Sequence, residues 1–505
     1  MSRPGEISRE VGALRLRTPL PNSALLAAFL CSLTSTAFAL ASPRFQHWFL
    51  IPITLCGILA GTDAIEWIRG NLDLYDPIGV VGAFSVHFFF LAPLLHIQVG
   101  EFMDVTAPPD WRDWLGAMGI LNAMGLVAYR ICRGFFKGRQ PEPTRSYWSF
   151  DTQMLRLIGP AVLFVTAVAQ AAVYAKFGGV GGYVETRLNN PTAFNGMGWM
   201  FMISESFPII VALLGVAYAR QHQVSWTKIA FGLFGIFVLL IIFGGLRGSR
   251  SNTVLALFWI VGTIHFLVRP VPRKLVCAGL LFLLAFMYIY GFYKSGGMRA
   301  FSGSQARQEI AATRGRTFTG MLLGDFGRSD VQAFVLYKQW MDSSNYSYAW
   351  GRTYLGGLAI LIPRSILPYR PETTFREGTE ILSGTGTYLP DVIQTSKVFG
   401  LAGEAMLNFG PVSVPVVYGL FGLFVGWFKV AMQRFSPGDV RLFFVPFGIF
   451  LCVNMLGSDF DLITYGIMKF NLVPALVVYM CTRKLREYGW ANTRRGATVL
   501  RNRPA

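Results

Sequence analysis

Long apolar stretches alternate with short polar segments along most of the chain. Nine of them precede residue 294, at roughly 23–42, 48–68, 78–98, 112–131, 154–175, 198–219, 229–243, 254–268 and 275–293. Three more follow, at roughly 411–430, 440–458 and 463–482. Because a helix of about 20 apolar residues crosses a bilayer, the pattern predicts an all-α polytopic membrane protein with about twelve transmembrane helices.

One long segment interrupts this alternation. Residues 294–396 contain no apolar run of spanning length, and loops of this size are uncommon unless they are functional or disordered. Ser329 and Gln332 have the spacing of a helix start, and apolar residues follow at helical intervals. We therefore predict four regions: helices 1–9 in residues 1–293, a folded external loop subdomain in 294–396, helices 10–12 in 397–482, and a basic tail in 483–505.

The positions of basic residues predict the orientation. Lys and Arg precede the first apolar stretch, follow every second one and fill the C-terminal tail. Cytoplasmic loops carry such an excess, so both termini are expected in the cytoplasm and the long loop outside. The same clustering explains the net charge of +18 without a nucleic-acid partner. The six cysteines all fall within apolar stretches and give no disulfide framework.

A glycine-rich turn between the seventh and eighth apolar stretches carries Arg247 and Arg250. It is predicted on the external face, within reach of hydrocarbon, where a cation is costly unless it is paired or hydrated. The long loop is also rich in arginine, whose guanidinium group matches phosphate and carboxylate oxygens two at a time. We therefore predict a phosphorylated or acidic ligand. The alternatives are snorkelling arginines and a solvated loop surface with its own counter-acids.

Three further features could carry chemistry. Arg364 lies between two prolines, which stiffen the backbone. Glu404 and Asn408 are four residues apart and would share one helix face; a desolvated carboxylate there could act as a general base, or it could simply pair with an arginine. His96 lies near the predicted outer face and could act as an acid or base. No metal-binding or ATP-binding motif is present, so we expect no metal and no cofactor.

Four short motifs occur in a suggestive order. They are the glycine-rich run at residues 177–183 with a following Arg187, the GLRGSR turn at 245–250, the Pro-Arg-Ser sequence around Arg364, and the GEAMLNFG run at 403–410. Over roughly residues 170–430 the chain resembles the bacterial O-antigen or oligosaccharide repeat-unit polymerases (Wzy-type). The spacing between Arg316 and Gly327 also occurs in some polysaccharide polymerases. Chance alone is also a sufficient explanation for this spacing.

This resemblance implies a GT-C-like inner-membrane glycosyltransferase that works on the periplasmic face. Its substrates would be oligosaccharide repeat units on undecaprenyl pyrophosphate, and its partners would include membrane lipid, a chain-length regulator and a flippase, but no nucleic acid. Glu404, Arg247 and Arg250 would be catalytic, with Glu404 as the base. The implied substrate-binding residues are Arg187, Arg364, Asn408 and Arg316.

Two other functions fit the same hydropathy pattern. An O-antigen ligase-like transferase shares the helical class and the large external loop, but such enzymes usually depend on a loop histidine, and residues 294–396 contain none. A lipid-oligosaccharide flippase or transporter would be expected to show two similar halves. Here the large loop lies toward the C-terminal part of the chain, so the two halves are not similar.

Overall fold

Helices make up most of the fold. The computed structural model describes residues 22–100, 102, 107–139, 144, 146–194, 196–222, 224–248, 250–297, 303, 317–341, 346–363, 366–389 and 397–486. In chain order the helices are α1 (Ser23–Ala41), α2 (Leu50–Ile68), α3 (Pro77–Val99), α4 (Trp111–Gly134), α5 (Thr152–Lys176), α6 (Gly179–Asn189), α7 (Gly198–His222), α8 (Trp226–Phe243), α9 (Arg250–Leu267), α10 (Arg273–Gly296), α11 (Phe318–Gly324), α12 (Ser329–Met341), α13 (Arg352–Ala359), α14 (Thr374–Ser383), α15 (Gly400–Phe409), α16 (Ser413–Met432), α17 (Val440–Gly457) and α18 (Phe460–Met480).

Eleven of the described helices are long and apolar enough to cross a membrane: α1 to α5, α7, α8, α10 and α16 to α18. The twelfth predicted span is helix α9, whose apolar part, Asn252–Leu267, is shorter. Protein encloses most of this helix: Trp259 is fully buried, and a Cβ atom on Gly262 would lie only 2.4 Å from Pro446 Cβ. The predicted all-α polytopic membrane fold is therefore confirmed, with one span shorter than expected.

A two-stranded antiparallel sheet is an exception to the all-α prediction. Strand β1 (Ser146–Phe150) precedes α5, and strand β2 (Thr482–Arg486) follows α18, at the start of the predicted tail. Asp151 and Arg483 form an ion pair beside it. The sheet brings the start of α5 and the end of α18 to one face of the helix bundle, which we call the basic face. The opposite face, which carries the described residues of the range 294–396, is the loop face.

The described helices of the long loop pack into the membrane bundle. Helix α12 begins at Ser329, as predicted, and its Phe334 and Val335 belong to the same buried cluster as Met118 of α4 and Tyr418 of α16. Helix α13 packs against α18. In the described ranges the loop therefore shares the core of the membrane helices, and its charged residues are held close to their loop-face ends.

Helix α3 contains a π turn at His87–Leu91. Such a turn accommodates one extra residue in the helical ladder, so the side chains before and after it are offset around the axis. The three phenylalanines of the turn, Phe88, Phe89 and Phe90, are buried. The loop-face end of α3 lies against α11 and α12.

Candidate functional site

A cavity of about 800 Å³ lies among the loop-face ends of the helices. Six cationic side chains and two carboxylates of the described residues line it: Arg187, Arg247, Arg250, Lys294, Arg328, Lys397, Asp325 and Asp330. Much of the remaining wall is apolar, formed by Phe84 and Phe88 of α3, Val254 of α9, Met287 of α10 and Phe450 of α17. The wall formed by the described residues is therefore amphipathic, with more cationic side chains than carboxylates.

The glycine-rich turn between α8 and α9 forms one wall of this cavity. The chain makes a 3-10 turn over Gly245–Arg247 and then passes through Gly248 with a φ of +95°, a left-handed conformation that favours glycine. A Cβ atom on Gly248 would lie 3.3 Å from Arg187 Nε. The hydroxyl of Tyr290 on α10 donates to the Gly245 carbonyl. Local backbone geometry and α10 together fix the directions of the two arginines.

Arg247 is held by a buried acid that the sequence analysis did not single out. Its Nη2 atom lies 2.7 Å from Glu205 Oε1, and its guanidinium carbon is 4.2 Å from the centre of the Phe201 ring. Burial alone would lower the pKa of Arg247, but the Glu205 carboxylate together with Tyr183 and Tyr465 outweighs this effect, so the pKa is raised. Glu205 occupies the interruption in the middle of α7, so its side chain reaches the turn from the neighbouring helix.

Glu205 also binds a second cation. Lys469 Nζ of α18 lies 2.5 Å from Glu205 Oε2, and the Asn252 amide donates to the same oxygen at 3.0 Å. The Lys469 and Glu205 side chains are only 4% and 6% exposed. One carboxylate therefore serves two cations, so this cluster of three side chains has a net positive charge beside the cavity.

Arg250 and Asp325 form a two-pronged ion pair across the cavity wall. Arg250 Nη1 and Nη2 approach the two Asp325 carboxylate oxygens at 2.6 and 2.7 Å. Such a fork is the strongest common arrangement of these groups. The pair ties the segment after α11 to the start of α9; Asp325 Oδ1 accepts the hydrogen bond, while Oδ2 is buried at ion-pair distance without one.

Arg187 and Arg328 are held by backbone carbonyls. Arg187 Nε donates to the Arg247 carbonyl at 2.6 Å. Arg328 donates to the carbonyls of Gly457, Gly324 and Gly327 at 3.1, 2.9 and 2.5 Å, and burial lowers its pKa. Neither has a carboxylate at ion-pair distance among the residues that the structure describes. A carbonyl orients a guanidinium but does not neutralise it, so these two cations suit an incoming anion.

Asp330 is the second carboxylate on the wall. It lies in the first turn of α12, and the Nε2 atom of His96, from the last turn of α3, is 3.9 Å from its Oδ1. His96 is buried, while Asp330 keeps 13% of its side chain exposed. The candidate acid or base identified on the sequence thus lies behind a carboxylate on the cavity wall.

Glu404 and Asn408 share one face of α15, as predicted, but neither lines this cavity. Glu404 Oε1 accepts hydrogen bonds from Thr353 and Thr374 at 2.7 and 2.9 Å, and its Oε2 accepts from the Phe460 amide at 2.6 Å. Asn408 donates to Thr353 at 2.7 Å. Burial raises the pKa of Glu404 to about 7.

The surroundings of Glu404 do not give it the access that a base needs. Helices α13 and α14 cover it, and only 2% of the residue is exposed. Its hydrogen bonds join these two loop helices to α15 and to the start of α18. In this structure Glu404 is thus an anchor of the loop, and Asn408 supports it through Thr353.

The predicted site residues fall into three groups. Arg187, Arg247 and Arg250 share the cavity, whereas Glu404 and Asn408 lie together elsewhere. Arg316 and Arg364 lie outside the described residues. The sequence analysis did not single out Glu205, Lys469, Asp325, Arg328 and Asp330. It included Arg328 only among the loop arginines, and Asp325 and Asp330 only among the counter-acids of the loop.

A signal for two of the missed residues was present in the sequence. Glu205 and Lys469 are ionisable residues inside apolar stretches, where a charge is expensive without a partner. The other three stand in a loop with many similar side chains, and only the packing distinguishes them. Comparison of the chain with family models, with curated proteins and with solved structures gave no match.

Proposed function

We propose that the chain is an inner-membrane glycosyltransferase that joins oligosaccharide repeat units carried on undecaprenyl pyrophosphate, on the periplasmic side. The observation that supports this most directly is the amphipathic cavity. A lipid-linked sugar diphosphate has a doubly charged anion between an apolar tail and a polar glycan. The cavity offers cationic side chains and apolar walls next to each other.

The cations suit a diphosphate leaving group. Negative charge develops on the diphosphate as the glycosidic bond to it breaks, and preorganised cations that are aimed at developing charge lower the barrier. Arg187 and Arg328 are oriented by carbonyls and keep their full charge. Arg247 and Arg250 are held by Glu205 and Asp325, so they define the wall against which the anion rests.

The apolar walls suit the lipid. On α10 the cavity is lined by both Lys294 and Met287, which are seven residues apart and therefore about 10 Å apart along the helix axis. The cavity thus descends from the level of the cations into the apolar part of the bundle. Only 17% of the spanning window of α10 is buried, so the outer surface of this helix is available to lipid.

The resemblance to repeat-unit polymerases supports the same conclusion. It implied that Arg187, Arg247 and Arg250 act on one substrate, although 60 residues of sequence separate the first two. In the fold all three line one cavity. The implied role of Glu404 as the base has no such support, because Glu404 does not line this cavity.

The test is the length of the surface glycan in a deletion strain that carries variants of the gene. Arg187→Ala and Arg328→Ala should each leave single-repeat glycan on the cell, because the donor can still be made and exported but not polymerised. Arg376→Ala is the matched control, since this arginine is a half-exposed loop residue paired with Glu380. Accumulation of unligated polymer in the deletion strain would instead indicate a ligase, and loss of all surface glycan a flippase; either result overturns the proposal.

A further inference from the structure

The two carboxylates on the cavity wall have different partners. Asp325 faces Arg250 with both oxygens: Oδ1 accepts a hydrogen bond, and Oδ2 is buried at ion-pair distance from Arg250, so a proton would have to displace a strong ion pair. Asp330 has its closest ion-pair contact with His96, at 3.9 Å. Among the described carboxylates that line the cavity, Asp330 is therefore the one whose oxygens are open to an acceptor hydroxyl.

Asp330 is also well placed relative to the proposed anion site. It follows Arg328 by two residues at the start of α12, and both side chains line the same cavity. A transferase needs its base close to the leaving group, because the acceptor oxygen and the departing diphosphate bind the same sugar carbon. The beginning of α12 supplies a proton acceptor and a diphosphate contact within one turn of chain.

His96 supports this carboxylate from behind. It is almost fully buried at the end of α3, and a separation of 3.9 Å is an ion-pair distance but too long for a direct hydrogen bond. Such contacts often tighten when substrate is bound. The ring can limit the rotation of the carboxylate and stabilise its charge before the proton arrives.

We propose, on the basis of the proposed function, that Asp330 is the catalytic base of the transfer and that His96 is its positioning residue. The Asp330 carboxylate takes the proton of the acceptor hydroxyl. The acceptor oxygen forms a bond to the anomeric carbon of the donor sugar as the bond from that carbon to the diphosphate oxygen breaks. The bonding electrons leave with the lipid diphosphate, beside Arg187 and Arg328, and the proton remains on Asp330.

The first test compares turnover with binding for Asp330→Asn, which keeps the shape of the side chain and removes the base. Polymer formation in membranes that contain the native lipid-linked repeat unit should fall about 100-fold or more, the usual contribution of a positioned base. Binding of undecaprenyl pyrophosphate to the purified protein should change less than about threefold. Asp330→Glu should recover part of the activity.

The second test concerns His96. His96→Phe should lower the turnover rate at an unchanged KM, whereas His96→Gln, which retains a hydrogen-bond donor, should recover most of it. Asp113→Asn is the matched control, because His47 and Asp113 form another His–Asp pair at the loop-face ends of the helices, 3.3 Å apart and away from the cavity. It should polymerise at the wild-type rate.

Several outcomes would overturn the assignment. Wild-type turnover in Asp330→Asn excludes it as the base, and loss of undecaprenyl pyrophosphate binding in that variant makes it a binding or folding residue. Equal rates in the two His96 variants exclude the positioning role. A deletion strain with normal glycan length would refute the proposed function itself, independently of any variant.

Discussion

The buried Glu205–Lys469 pair makes the sharpest prediction for stability. Glu205→Gln removes the charge that Lys469 faces at 2.5 Å, while Lys469 remains 4% exposed among apolar helices. Removing one partner of a buried ion pair typically costs about 3–5 kcal/mol. We expect the lower end of this range, about 3 kcal/mol, because the glutamine oxygen can still accept a hydrogen bond. Arg247 adds little to the cost since its side chain lines the cavity and is 18% exposed.

The double variant Glu205→Gln/Lys469→Met distinguishes the cost of an unpaired buried charge from the cost of altered packing. It removes both buried charges, and well-packed neutral replacements of buried pairs are often close to neutral in stability. We expect it to unfold within about 1 kcal/mol of the wild type. The assay is the free energy of unfolding from an SDS titration in mixed micelles. Glu185→Gln, an exposed acid on α6, is the control and should change stability by less than about 0.5 kcal/mol.

The result that refutes this reasoning is equal destabilisation in the single and double variants. Glu205 would then contribute through packing alone, and Lys469 would carry no unpaired charge. A cost of less than about 1 kcal/mol for Glu205→Gln would have the same meaning, because it falls well below the usual penalty for an uncompensated buried cation.

Three other predictions follow from the contacts. Burial raises the pKa of Glu404 from 4.5 to about 7. The stabilising contribution of Glu404 is therefore full below about pH 4.5 and is lost as the pH rises to about 7, a fall of up to about 3 kcal/mol. Glu404→Gln should remove this pH dependence from the free energy of unfolding measured by SDS titration. Gly262→Ala should cost about 2 kcal/mol in that titration, because its Cβ would meet Pro446 at 2.4 Å. A Cβ at Gly279 would meet nothing within 4 Å, so Gly279→Ala should not destabilise and should gain up to about 1 kcal/mol from helix propensity. Arg250→Lys replaces the fork to Asp325 with a single contact and should lower polymer formation about tenfold, about 1.4 kcal/mol, as measured in membranes; an unchanged rate would exclude a catalytic role for the fork.

Hydropathy alone located the membrane helices because a bilayer demands about 20 apolar residues in a row. The exception, α9, shows the limit of that rule. Its apolar part is short and it carries the buried polar residues Thr253 and Thr263; the surrounding helices, rather than lipid, provide its environment. When a helix is enclosed by protein, the neighbouring helices determine which of its positions are apolar. A hydropathy window along the sequence does not include those neighbours.

The site was predictable only where local sequence determines geometry. The glycine-rich turn indicated Arg247 and Arg250 because a cation within reach of hydrocarbon is costly unless it is paired or hydrated. Glu404 attracted the same attention, but its accessibility depends on how α13 and α14 fold over it, and those helices are distant in sequence. Likewise, nothing in the order of residues distinguishes Asp330 from its neighbours until His96 packs behind it.

Because of the π turn in α3, the position of His96 relative to α12 depends on the exact number of residues in this helix. Each residue of a helix turns the following ones by about 100° around the axis, so deleting one residue of the turn would swing everything beyond it to another side. Hydropathy and span length would hardly change, yet His96 would point away from α12 while Phe84, before the turn, stayed in place. Insertions and deletions in this helix are therefore far more damaging than its apolar, repetitive composition suggests.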